Sequence, residues 1–156
     1  MNDSPAPDAA TDKELTMTRT FDAPRERVWR EWTEPEAFAD WYGGAAAEVP
    51  VSGVEMDVQP GGEWRAKINT SDGRVIDWHG EYVEVVEPER LVLTVTDDEP
   101  GGVYDTVTVV LTEIADGRTQ MRMEQTGGHM SAEGYGRAMQ GWGGFFDRME
   151  ERLSAG

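Results

Sequence analysis

The sequence predicts an α+β fold: a curved antiparallel sheet of about six to seven strands around a long C-terminal helix, with two short helices after strand one. Three observations predict it. In the stretch from Ser131 to Leu153, Tyr135, Met139, Trp142, Phe146, Met149 and Leu153 recur at steps of three and four, the spacing of one helix face. Between Val49 and Thr126 the apolar residues instead alternate, with turn residues between the runs. The connections are of hairpin length, which favours an antiparallel meander laid against the helix. The helix stretch also carries Gly134, Gly136, Gly141, Gly143 and Gly144. Each mid-helix glycine costs about 0.8 to 1 kcal/mol relative to alanine, so burial must hold this helix together. Either the glycines leave space where backbone or a ligand comes close, or they only permit tight helix-to-sheet packing.

Taken in order, Glu14 to Phe21 alternates Leu15, Met17 and Phe21 against threonines, as a half-buried strand does. Arg19 falls on the apolar parity, either as a strand-end residue reaching solvent or as the partner of a buried carboxylate. Pro24 suits the first turn of a helix on which Val28 and Trp32 share a face. Thr33 and Glu36 form a T-x-x-E pattern that predicts a capping box for a second short helix bearing Phe38 and Trp41, ending at Gly43 and Gly44. Val54, Met56 and Val58 alternate up to the turn Pro60-Gly61-Gly62, and Trp64, Ala66 and Ile68 alternate after it. Beyond Ser71-Asp72-Gly73, the residues Ile76, Trp78, Gly80 and Tyr82 take one parity and Asp77, His79 and Glu81 the other. A strand from Leu91 to Thr96, the loop DDEPGG, and strands carrying Val107, Val109 and Leu111, then Met121 and Met123, complete the sheet. Asp116-Gly117 turns the last hairpin, and Gly127-Gly128 leads to the long helix.

A chain of 156 residues is expected to form one domain. Residues 1–13, rich in Pro, Ala, Asp and Ser, read as a disordered N-terminal tail, and 14–153 as the domain. Zero cysteines exclude disulfides and thiolate chemistry, and with two histidines, His79 and His129, no histidine-rich metal site is expected. The N-terminus lacks a signal-peptide pattern and no apolar run approaches the roughly 18 to 20 residues of a membrane span, so a cytoplasmic protein is expected. A net charge of −17 repels nucleic-acid phosphates and anionic membranes, and neither is expected as a partner. The acidic excess reads as a solvated surface rather than an acidic docking face.

One set of residues runs in order along the chain: Arg19 with Phe21-Asp22-Ala23-Pro24 and Val28-Trp29, Pro35 followed by Trp41, and Pro60-Gly61-Gly62 before Trp64. Further along come Gly80, Glu84-Val85 before Pro88, Arg90-Leu91-Val92, and Gly141-Trp142 before Arg148-Met149. In this order they resemble the START-like superfamily, also called the SRPBCC or birch-pollen-allergen fold. Within that superfamily the chain most resembles homologues of the activator of the heat-shock-protein ATPase. The resemblance implies a helix-grip fold. It implies a function only broadly, because the scaffold hosts lipid and hormone binders, polyketide cyclases, hydrolases and toxin-resistance proteins. A chaperone role belongs to larger relatives with an additional domain.

A concave sheet around this helix should enclose a cavity lined by Trp32, Phe38, Trp41, Trp64, Trp78, Tyr82, Met123, Trp142 and Phe146. Such a wall suits a flat, greasy small molecule oriented by a few polar groups; the same residues could simply fill a core. Buried indoles need partners for their N–H groups, which a wet or ligand-filled pocket would supply. The sequence holds no G-x-S-x-G, H-E-x-x-H, P-loop or dinucleotide fingerprint, so no catalytic residue, metal or cofactor is assigned. Glu84, Asp105 or Glu124 could supply an acid/base pair; His79 reads as exposed and His129 as near a cavity mouth. The reading is a non-catalytic binder of a small hydrophobic or aromatic molecule, with a cyclase or hydrolase acting on a polyketide-like substrate as the alternative. A chaperone-interacting module, which would need an exposed apolar patch, is the third.

Overall fold

The computed structural model describes residues 8–42, 47–96, 104–127 and 131–155. Its strands are β1 (Ala9–Ala10), β2 (Glu14–Phe21), β3 (Ala47–Glu48), β4 (Val54–Met56), β5 (Glu63–Thr70), β6 (Val75–Val86), β7 (Arg90–Val95), β8 (Asp105–Ala115) and β9 (Arg118–Thr126). Helices α1 (Arg25–Thr33) and α2 (Pro35–Trp41) follow β2, and α3 (Ala132–Ala155) ends the chain. The sheet runs β1-β2-β9-β8-β7-β6-β5-β3, with β4 also paired to β5. Every pairing is antiparallel. The expected helix-grip architecture is therefore present: β2 and β5 to β9 carry the sheet, and the short β1, β3 and β4 border it.

Alternation sets which face is buried. Directly paired residues share a face, so the register Leu15↔Gln125, Gln125↔Val107, Val107↔Leu93 and Leu93↔Tyr82 defines one continuous inward row. Met17, Met123 and Val109 form a second inward row. Tyr135, Trp142, Phe146, Met149 and Leu153 of α3 are all buried in the same core, so the face anticipated from their spacing is the one the fold covers. Met139 is half-buried against its edge.

Four local expectations are corrected. Within the expected tail, Ala9 and Ala10 pair with Thr16 and Leu15, and Asp8 Oδ1 accepts from the Thr18 N–H at 2.9 Å. Thr11 makes the turn: its N–H donates to Glu14 O, while its Oγ1 accepts from the N–H groups of Lys13 and Glu14. These bonds need no apolar side chain, which is why composition concealed them; residues 1–7 lie outside the described residues. Thr33 does not cap α2. It ends α1, where its hydroxyl donates to Trp29 O at 2.9 Å, and Glu34 occupies the N-cap before Pro35 without a side-chain cap. Gly136, Gly141 and Gly144 do not serve close packing, since a Cβ at any of them would meet nothing within 4 Å. Arg19 reaches neither a buried carboxylate nor free solvent alone: it donates to Asp147 Oδ1 at 2.8 Å, Glu150 Oε1 and Gly143 O, tying β2 to α3. The ends expected at Gly43 and Gly44, the loop 97–102, Gly128 and His129 fall outside the described residues.

The C-terminal half of α3 is held by arginines. Arg152 pairs with both oxygens of the buried Glu31 at 2.7 and 3.2 Å and also with Asp40. Arg148 Nη2 donates to Asp40 Oδ1 at 3.0 Å. Arg27 Nη1 donates to Leu153 O at 3.2 Å, a cation at a helix C-terminus where carbonyls lack partners.

Candidate functional site

Inside the grip, aromatic side chains from four elements meet. Phe38 and Trp41 of α2, with Tyr42 just beyond it, meet Trp32 of α1, Trp64 of β5, and Trp142 and Phe146 of α3. Phe38 stacks on Tyr42 at 4.5 Å between ring centres, Trp32 meets Trp41 edge-on at 4.8 Å, and Trp142 stacks on Phe146 at 5.6 Å. Such contacts contribute roughly 0.5 to 1.5 kcal/mol each beyond burial. Of the residues expected to line a cavity, Trp32, Phe38, Trp41, Trp64, Trp142 and Phe146 are thus brought together. Met123 is buried on β9 opposite Met17. Tyr82 is buried on β6, and Trp78 lies half-buried opposite Ala66.

The indole N–H groups of Trp32, Trp41, Trp64 and Trp142 find partners within the protein rather than in a wet pocket, which corrects that part of the expectation. Trp32 Nε1 donates to Met121 Sδ at 3.3 Å, Trp41 Nε1 to Glu31 O at 2.7 Å and Trp64 Nε1 to Thr94 O at 2.8 Å. Trp142 Nε1 donates to Gln125 Oε1 at 2.8 Å.

That last bond belongs to a buried polar chain. Gln125 Nε2 donates to Asp105 Oδ2 at 2.7 Å, and Tyr135 Oη donates to Asp105 Oδ1 at 3.3 Å. Asp105 is 1% exposed, so a carboxylate lies inside the apolar interior between β8, β9 and α3. Its position continues the inward series Leu111, Val109, Val107, and Gln125 continues Met121, Met123. Each is a polar residue on an apolar parity at the same end of adjacent strands. Sequence reading named Asp105 only as one of several interchangeable carboxylates and missed Gln125 and Tyr135. The break in parity was the available signal. Glu84 and Glu124 are instead half-buried and paired with Arg90 and Arg122.

His79 is not freely exposed. It is half-buried, its backbone bridges to Thr96, and its ring lies edge-on to Tyr104 at 6.1 Å. It borders a cleft of about 680 Å³ lined also by Trp64, Arg65, Glu63 and Glu81. No group of His, Cys, Asp or Glu suited to a metal ion occurs among the described residues. No helix among them is long and apolar enough to cross a membrane.

Comparison with known proteins agrees with this fold. A family model described as Activator of Hsp90 ATPase homolog 1-like protein matches residues 22–154. Among solved structures, a protein from Nitrosomonas europaea superposes with a TM-score of 0.77 at 24% identity, over 92% of this chain and 96% of that one. The AHSA1 protein of Silicibacter pomeroyi gives 0.79 at 17% identity, over 91% and 98%. A Mesorhizobium loti protein gives 0.70 at 26% identity, over 92% and 98%. No curated protein matches significantly.

Proposed function

Because the chain belongs to the activator of Hsp90 ATPase homolog 1-like family, we propose that it binds a small hydrophobic or aromatic molecule between the curved sheet and the C-terminal helix, without catalysing a reaction. One observation carries the reading: the polar chain Asp105–Gln125–Trp142, with Tyr135, is set into an interior otherwise walled by aromatic and aliphatic side chains. Apolar walls supply affinity for a flat molecule, and a few polar groups orient it. The net charge of −17 disfavours an anionic ligand, so the ligand is neutral or cationic.

Trp142 reports on this region directly, since displacing its bond to Gln125 alters the surroundings of its indole. Titration with a broad panel of neutral, flat aromatic compounds is expected to quench tryptophan emission saturably, and native mass spectrometry of the purified protein to show retained extra mass. If no compound gives saturable quenching and no mass is retained, the binding proposal fails.

A second reading has its own observation. A buried carboxylate beside a phenol is a pairing that proton transfer can use, so a cyclase or hydrolase acting on a polyketide-like substrate remains the alternative. It requires turnover that Asp105→Asn abolishes while ligand binding persists. The family's link to a chaperone ATPase supports a third, protein-directed role, which pull-down from the protein's own cytosol would separate from these two.

A further inference from the structure

Among buried side-chain polar atoms, Thr18 Oγ1, Arg25 Nε, Asp77 Oδ1, His79 Nε2 and Tyr82 Oη have no hydrogen-bond partner among the described residues. Only Tyr82 belongs to a fully buried residue, at 1% exposure; the other four are half-buried. The indoles of Trp32, Trp41, Trp64 and Trp142 and the hydroxyls of Thr119 and Tyr135 all have partners. A donor left alone in an interior is uncommon in native structures, so this one calls for an explanation.

Its place in the fold supplies one. Tyr82 is paired with Leu93, and the same inward row continues through Val107 to Gln125. The phenol and the Gln125 amide thus stand at the two ends of an apolar pair, with backbones about 14 Å apart at the usual strand spacing. That span suits two or three fused rings.

We infer that the ligand carries a hydrogen-bond acceptor, a carbonyl or ether oxygen on a flat apolar frame, and that Tyr82 Oη is the donor that meets it. This rests on the proposed binding function and deepens it. Burial, with a smaller push from the charge of Asp57, holds the phenol far above its ordinary pKa, so it stays a neutral donor at physiological pH.

Fluorenone and fluorene share a tricyclic frame and differ by a carbonyl in place of a methylene, so they are the probes. Wild type is expected to bind fluorenone roughly three- to tenfold more tightly than fluorene, the range of one net hydrogen bond, and Tyr82→Phe to bind both alike. Equal binding by wild type, or a preference that survives Tyr82→Phe, overturns the acceptor inference and leaves the binding function standing. If neither probe binds and no other flat aromatic does, the binding function itself falls, and this inference with it. Thermal unfolding without ligand gives an independent reading. Tyr82→Phe should melt no lower than wild type, because it removes a donor without a partner; a loss of several degrees would show that the hydroxyl is already satisfied and overturn the inference.

Discussion

Trp64 and Gly80 face each other across β5 and β6, and each accounts for the other. A Cβ at Gly80 would collide with the Thr94 carbonyl oxygen, the same atom that accepts from Trp64 Nε1. The missing side chain lets the indole reach over the strand to its acceptor. Gly80→Ala should therefore destabilise by about 3 kcal/mol, through overpacking and loss of the buried bond. Gly141→Ala should act in the opposite sense: the site is exposed, a Cβ there meets nothing within 4 Å, and about 0.8 kcal/mol of helix propensity is gained. Urea unfolding of the two variants checks both signs. At this scale the sequence was partly legible. Gly80 stood out on an apolar parity, but its reason lies in a carbonyl fourteen positions away. The partner of Trp142 was hidden similarly, because only the pairing of β8 with β9 brings Gln125 and Asp105 under α3.

Among the elements, α3 was the most legible, since its apolar period is long and unbroken, and the paired strands β4 to β9 followed from alternation and turn residues. Less legible were short elements whose bonds are entirely backbone, such as β1, and helix ends such as Thr33, where two adjacent helices compete for one residue. The arginine clamp on α3 was invisible for another reason: Arg148 and Arg152 find Asp40 and Glu31 across more than a hundred residues. Burial raises the Asp40 carboxyl, but hydrogen bonds from Arg148 and Arg152, aided by their charges, outweigh it and hold the pKa below the usual aspartate value. A carboxylate depressed in the folded state contributes stability above its unfolded pKa, near 3.9, and that contribution is lost as pH falls through and below that value. Arg148→Met should therefore differ most from wild type at pH 5 and above, and the gap between their urea midpoints should narrow by pH 3. A gap that stays constant with pH would show that Arg148 acts through packing alone.

At the scale of the molecule, the chain carries thirty-one acidic residues against fourteen basic ones, and the resulting self-repulsion opposes the compact state. At about 0.1 M salt the screening length is near 10 Å, falling to about 3 Å at 1 M. The melting temperature should thus rise as sodium chloride increases from 0.05 to 1 M, which differential scanning calorimetry would read. A decrease would mean that the surface ion pairs, such as Arg19 with Asp147 and Arg118 with Asp22, outweigh the net repulsion.

The sheet's borders have a further consequence. On one side a two-residue strand and the Asp8 carboxylate occupy backbone positions along β2; on the other, β3 and β4 divide the outer edge of β5 between them. Without those trimmings, each margin would offer an eight-residue ladder of open amides and carbonyls to any neighbouring chain. The modest stretch ahead of Glu14 thus shortens the run of open backbone groups on its margin and leaves a neighbouring chain fewer places to pair.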